Sequence, residues 1–96
     1  MTREEKLQLI KLLQEHCEYY ETKYICFNDL IDIVSRSIFN KFAFEMLFLS
    51  NRHLVLTQDE VDKCKDIIKQ MIDKNTIWKT KYSYEVSSKI LNYKVR

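Results

Sequence analysis

The apolar positions of the 96-residue chain fall largely into runs of helical period. Leu7, Ile10, Leu13, Cys17 and Tyr20 recur at spacings of three and four, with Leu9 and Leu12 beside them. That pattern predicts an amphipathic helix over residues 3–20 with one apolar stripe. Thr2 and Glu5 stand at the spacing of a capping box, in which hydroxyl and carboxylate each accept from the other's backbone N–H. Glu4 and Glu5 also place negative charge at the positive end of the helix dipole. The same device recurs at Thr57 and Glu60, with Asp59 between them, ahead of Val61, Cys64, Ile68 and Met71, flanked by Ile67 and Ile72. Asn75 is the expected stop of that helix, taking the left-handed conformation in place of glycine. Between the two, Leu30, Ile31, Val34 and Ile38 share a helical face, and Asn28 is the expected N-cap.

Residues 42–50, FAFEMLFLS, break the amphipathic rule. On a helix of ~100° per residue, Phe42, Met46 and Leu49 group together, Phe44 and Phe48 fall on the far side, and polar character is left to Lys41 and Glu45. A helix apolar around most of its circumference belongs at the centre of a bundle. The rival placement turns Phe44 and Phe48 outward, where rings worth ~1.5–3 kcal/mol each on burial would anchor another protein or a second copy of the chain.

Two short segments carry a different period. Tyr24–Phe27 is a β-prone run, and residues 77–82 alternate apolar and polar. Beyond them Ser83 is the expected cap of a last short helix carrying Val86, Ile90 and Leu91.

Composition settles the class expected from these patterns. The chain contains no glycine and no proline, where about 7% and about 5% are usual. Tight hairpin turns lean on glycine, so helices joined by Asn, Ser, Thr and Lys linkers are the simpler expectation. The predicted fold is all-α, one domain over residues 1–96, a bundle of four to five helices around a central apolar helix. The alternative is α+β, with a two-stranded ribbon formed by residues 24–27 and 77–82. Absence of glycine also excludes phosphate-cradling Gly loops, dinucleotide fingerprints and glycine-flanked serine elbows, all of which need close backbone approach.

The start, MTREEKLQLIKLLQEH, is charged and lacks a signal-peptide apolar core. No apolar stretch reaches the ~20 residues of a membrane span. Three widely spaced cysteines, Cys17, Cys26 and Cys64, do not make a disulfide framework. A reducing, cytoplasmic setting is expected. His16 and His53 complete the ligand types of a zinc site, but no Cys-x-x-Cys or His-x-x-x-His pair exists. Neither metal nor cofactor is expected, and no catalytic motif marks an enzyme.

Charge changes the picture at one end. The whole chain carries a net +2, whereas residues 74–96 hold six basic groups against one acidic, a net +5. In this quarter Trp78, Tyr82, Tyr84 and Tyr93 lie among Lys74, Lys79, Lys81, Lys89, Lys94 and Arg96. Two non-enzymatic functions follow. The leading expectation is a regulatory or inhibitory protein that docks on another protein or on itself as a homodimer, through Phe44, Phe48, Trp78, Tyr82 and Tyr84. The alternative is a nucleic-acid-binding protein, with Lys74, Lys79, Lys81, Lys89, Lys94 and Arg96 neutralising phosphates and Trp78 and Tyr93 stacking on unpaired bases. The cations are lysines until Arg96, so the bidentate Arg fork that reads guanine is missing.

Overall fold

The computed structural model describes residues 2–39 and 57–94. Helix α1 spans Arg3–Tyr19, strand β1 Tyr24–Ile25 and helix α2 Phe27–Phe39. Helix α3 spans Gln58–Asp73, strands β2 and β3 cover Ile77–Lys79 and Tyr84–Val86, and helix α4 is the short Ser88–Leu91. The segment FAFEMLFLS, with Phe44 and Phe48, lies outside the described residues, as do His53 and Arg96.

Both capping boxes form. The Glu5 N–H donates to Thr2 Oγ1 at 3.1 Å and the Thr2 N–H to Glu5 Oε1 at 2.8 Å. The Glu60 N–H and Thr57 N–H repeat the exchange at 3.2 and 3.0 Å. The helix stops are equally regular. At the end of α1, Glu21 takes φ 52 while the Thr22 and Glu21 N–H groups close on the Cys17 and Glu18 carbonyls at 3.0 and 3.3 Å. At the end of α3, Asn75 takes φ 59 while the Thr76 and Asn75 N–H groups close on the Met71 and Ile72 carbonyls at 2.9 and 3.0 Å. Each is a Schellman closure built without glycine. Asn75 is the stop the sequence predicts; Glu21 is a residue that ordinarily avoids this conformation.

The all-α expectation is overturned. The described residues form an α+β fold, with four helices and a three-stranded antiparallel sheet in the order β1-β3-β2. The ribbon foreseen as the alternative is also corrected: β1 and β2 exist, but both pair with β3 rather than with each other. The physical reason lies in one turn. Residues 80–83 join β2 to β3 with no glycine and no positive φ. The Thr80 side chain closes the turn: its Oγ1 accepts from the Ser83 N–H at 2.9 Å and donates to the Ser83 carbonyl at 2.9 Å. The Thr80 N–H adds a 2.8 Å bond to the same carbonyl. Ser83 is therefore a hairpin residue, and Ser87 caps the last helix instead.

Register in the sheet is set by burial. Ile25, Ile77 and Val86 are almost wholly buried on the inner face, and a slip of one residue would turn all three to solvent. They join a core from α1 (Leu9, Leu12, Leu13, Cys17), α2 (Leu30, Ile31, Ile33, Val34) and α3 (Cys64, Ile67, Ile68, Met71). The buried stripe of α1 is rotated from the predicted one: Leu9 and Leu12 are in the core, while Leu7 and Ile10 are half-buried and Tyr20 is exposed. Helix α2 packs on both α1 and α3. It begins at Phe27, one residue before the expected cap Asn28. Residues 33–37 are buried without interruption. Among them, the hydroxyls of Ser35 and Ser37 donate to the Asp32 and Ile33 carbonyls, each at 2.9 Å, which keeps buried polar groups paired.

Candidate nucleic-acid interface

The β2–β3 hairpin presents the basic, aromatic character of the C-terminal quarter. Its tip is Lys81–Tyr82, held forward by the Thr80 closure. Tyr82 is 83% exposed, and the Lys81 ammonium sits 5.3 Å from its ring centroid. A cation over an aromatic face is held there by the ring quadrupole, so charge and ring act as one unit. Lys79, one residue before the turn, lies 5.9 Å from the centroid of the Tyr84 ring.

Strand alternation sorts the remaining residues. Tyr24, Glu85 and Trp78 are cross-strand partners in a single row, so their side chains share the outer face of the sheet. Trp78 is 42% and Tyr24 45% exposed. Glu85, the one carboxylate of the hairpin, is engaged by the Lys23 ammonium at 3.4 Å, and Lys23 also lies 5.6 Å from the Tyr24 ring centroid. An ion pair this exposed contributes at most about 1 kcal/mol to stability. Its electrostatic consequence is larger, because it leaves Lys79 and Lys81 as the net charge of the hairpin.

The residues singled out in the sequence thus divide. Trp78, Lys79, Lys81 and Tyr82 come together on the hairpin. Tyr84 is half-buried, packed on the core and 6.1 Å from the Phe27 ring, so it is a poor anchor for a partner. Lys74 follows α3 and borders a cavity of about 270 Å³ shared with Lys6, Leu13 and Ile90. Tyr93 is exposed, at a surface pocket away from the hairpin whose lining also includes Glu18, Glu21 and Lys23. Lys89 and Lys94 are exposed on the C-terminal segment. The Gln14 amide holds that segment on α1, donating to the Ile90 and Tyr93 carbonyls at 2.9 and 2.6 Å. Lys23 and Tyr24 were not among the predicted site residues. The β-prone run Tyr24–Phe27 is a signal for Tyr24 alone, and nothing in the chain tells which strand it meets.

Helix α3, which leads into the hairpin, carries five carboxylates against three ammonium groups. A helix with that balance is unsuited to lie along phosphates. Cys17 and Cys64 are buried, and burial raises both thiols, Cys64 to about 11. Cys26 is exposed. No group of three His, Cys, Asp or Glu side chains is arranged to hold a metal ion among the described residues, and among them no helix is long and apolar enough to cross a membrane. No protein-family model matches the chain, and no curated protein or solved structure matches it either.

Proposed function

We propose that the protein binds nucleic acid through the β2–β3 hairpin of its basic C-terminal quarter. The observation that carries this reading is Tyr82, a ring 83% exposed at the hairpin tip with the Lys81 ammonium 5.3 Å from its centroid. Leaving such a ring in water forgoes the gain of covering it, and base–aromatic stacking is worth about 1–3 kcal/mol per base. Lys79 and Lys81 supply the attraction to phosphate, and the Glu85 carboxylate that would oppose them is engaged by Lys23. The expectation of protein docking named Phe44 and Phe48, outside the described residues, Tyr84, which packs on the core, and the same exposed Trp78 and Tyr82. It has no cation in its set to use the charge of Lys79 and Lys81.

The test uses Trp78, the chain's one tryptophan. Its emission is followed while single- and double-stranded oligonucleotides are titrated at low and then moderate salt. Saturable binding that weakens as salt rises is the expected result. Replacing Lys79 and Lys81 together with glutamine should reduce the slope of log K against log salt by about 1–2. A flat trace at low salt overturns the proposal, and the exposed rings Trp78 and Tyr82 would then be sought in a protein interface.

A further inference from the structure

The site proposed above is drawn from one quarter of the chain, but the sheet extends it. Tyr24 lies more than fifty residues before Trp78 in sequence, yet the register Tyr24↔Glu85↔Trp78 sets the two rings in one row across the outer face of the sheet. With neighbouring strands ~4.8 Å apart, the two backbone positions are separated by about 10 Å, so each ring offers its own platform. Both are nearly half exposed. The inner face directly beneath is occupied by Ile25, Ile77 and Val86, which anchors the platform to the core and keeps the rings on the outer side.

The charges around this row are arranged for a polyanion. Lys23 reaches both Glu85, at 3.4 Å, and the Tyr24 ring, at 5.6 Å from its centroid. It therefore cancels the carboxylate in the middle of the row. Lys81 adds positive character at the hairpin tip, whereas Lys79 alternates to the face of Ile77 and Tyr84. Aromatic faces flanked by cations are what a strand with unpaired bases requires, since stacking needs an open base face and phosphates need neutralising. A duplex keeps its base faces covered, and it is read by elements that enter a groove. Two exposed rings set in one row are suited to the open faces of unpaired bases.

We infer that the outer face of the sheet is a single-strand platform on which Trp78 and Tyr24 each stack an unpaired base, with Lys81, at the hairpin tip, on an adjoining phosphate. This inference rests on the nucleic-acid reading and specifies its ligand as single-stranded. Residue Tyr24, from outside the basic quarter, becomes part of the site, and Lys23 becomes the residue that keeps Glu85 from repelling the strand.

The experiment is fluorescence anisotropy of a labelled mixed-sequence DNA single strand and of its duplex, with the full chain, at low salt. The wild-type protein should bind the single strand more tightly than the duplex. Tyr24→Ala and, independently, Trp78→Ala should each weaken single-strand binding by about 5- to 100-fold. Tyr24→Phe, which keeps the ring, should stay within about twofold of wild type. Thermal melting by circular dichroism establishes that each variant is folded. The Lys79→Gln/Lys81→Gln double variant is measured in the same series. If that variant loses affinity while Tyr24→Ala binds as wild type, or if the duplex binds as tightly as the single strand, the platform is overturned and the hairpin reading stands. If the wild-type protein binds neither oligonucleotide, both fall.

Discussion

The Gln14 side-chain amide donates a 2.9 Å hydrogen bond to the Ile90 carbonyl, joining the middle of α1 to a residue 76 positions later. The same amide donates to the Tyr93 carbonyl at 2.6 Å, so one side chain satisfies two carbonyls at the end of α4. Ile90 is itself buried in the core. Gln14→Ala should therefore cost about 1–2 kcal/mol in urea unfolding and speed amide exchange in residues 90–94. An unchanged exchange pattern would mean that Ile90 alone secures the segment.

Thr80 takes the part that glycine usually plays in a tight hairpin. Its hydroxyl bonds to both the N–H and the carbonyl of Ser83. Thr80→Val keeps the shape and removes the hydroxyl, and a loss of about 1–2 kcal/mol is expected. Thr80→Ser should recover most of it. Because the hydroxyl also aims the Lys81–Tyr82 tip, the valine variant is expected to weaken oligonucleotide binding in the titration that follows Trp78.

Glu21 sits at φ 52, a conformation that costs most side-chain-bearing residues about 1–2 kcal/mol. Glycine removes that cost and gives back part of the gain through the freer unfolded chain. Glu21→Gly should raise stability by about 0.5–1 kcal/mol, and Glu21→Val should lower it. At Asn75, φ 59, the same glycine substitution should come out closer to neutral, because asparagine already tolerates this region. Chemical denaturation of the three variants checks the order.

The His16 ring packs 4.6 Å from the Tyr20 ring, between centroids. Burial lowers its pKa from the usual 6.5, outweighing the Asp29 carboxylate, which acts in the opposite direction. The last turn of a helix ordinarily favours a cation, but here desolvation prevails. The folded protein takes up a proton at His16 less readily than the unfolded chain does. Its contribution to stability is thus complete above about pH 6.5 and is lost as pH falls through the lowered value. Urea midpoints measured from about pH 7.5 down to about pH 5 should fall less steeply for His16→Gln than for wild type. His53 is common to both proteins, so the difference isolates His16.

What could be read from the chain alone was local. Thr2 with Glu5, Thr57 with Glu60, and Asn75 act within a turn or two of their own backbone, so their geometry follows from spacing. For the same reason the bounds of α1 and α3 were legible. The sheet was legible only in part: residues 24–27 and 77–82 carry a β-like period and hold β1 and β2, but absence of glycine argues against the β2–β3 hairpin until a threonine hydroxyl closes it. The predicted stripe of α1 was off by a fraction of a turn. Leu7, Leu9, Ile10 and Leu12 leave that helix apolar over a broad arc, and which part is buried depends on where α2 and α4 pack.

The candidate site divides along the same line. Trp78, Lys79, Lys81 and Tyr82 stand close together because they lie within five consecutive residues, and spacing was enough to say so. Assembly of the whole fold was needed to turn Tyr84 inward, to bring Tyr24 into one row with Trp78, and to set Lys23 on Glu85. Strand pairing between β1 and β3 spans some sixty residues, and its register depends on the simultaneous burial of Ile25, Ile77 and Val86. Burial of that kind is a property of the assembled core and is encoded in no single stretch of the chain.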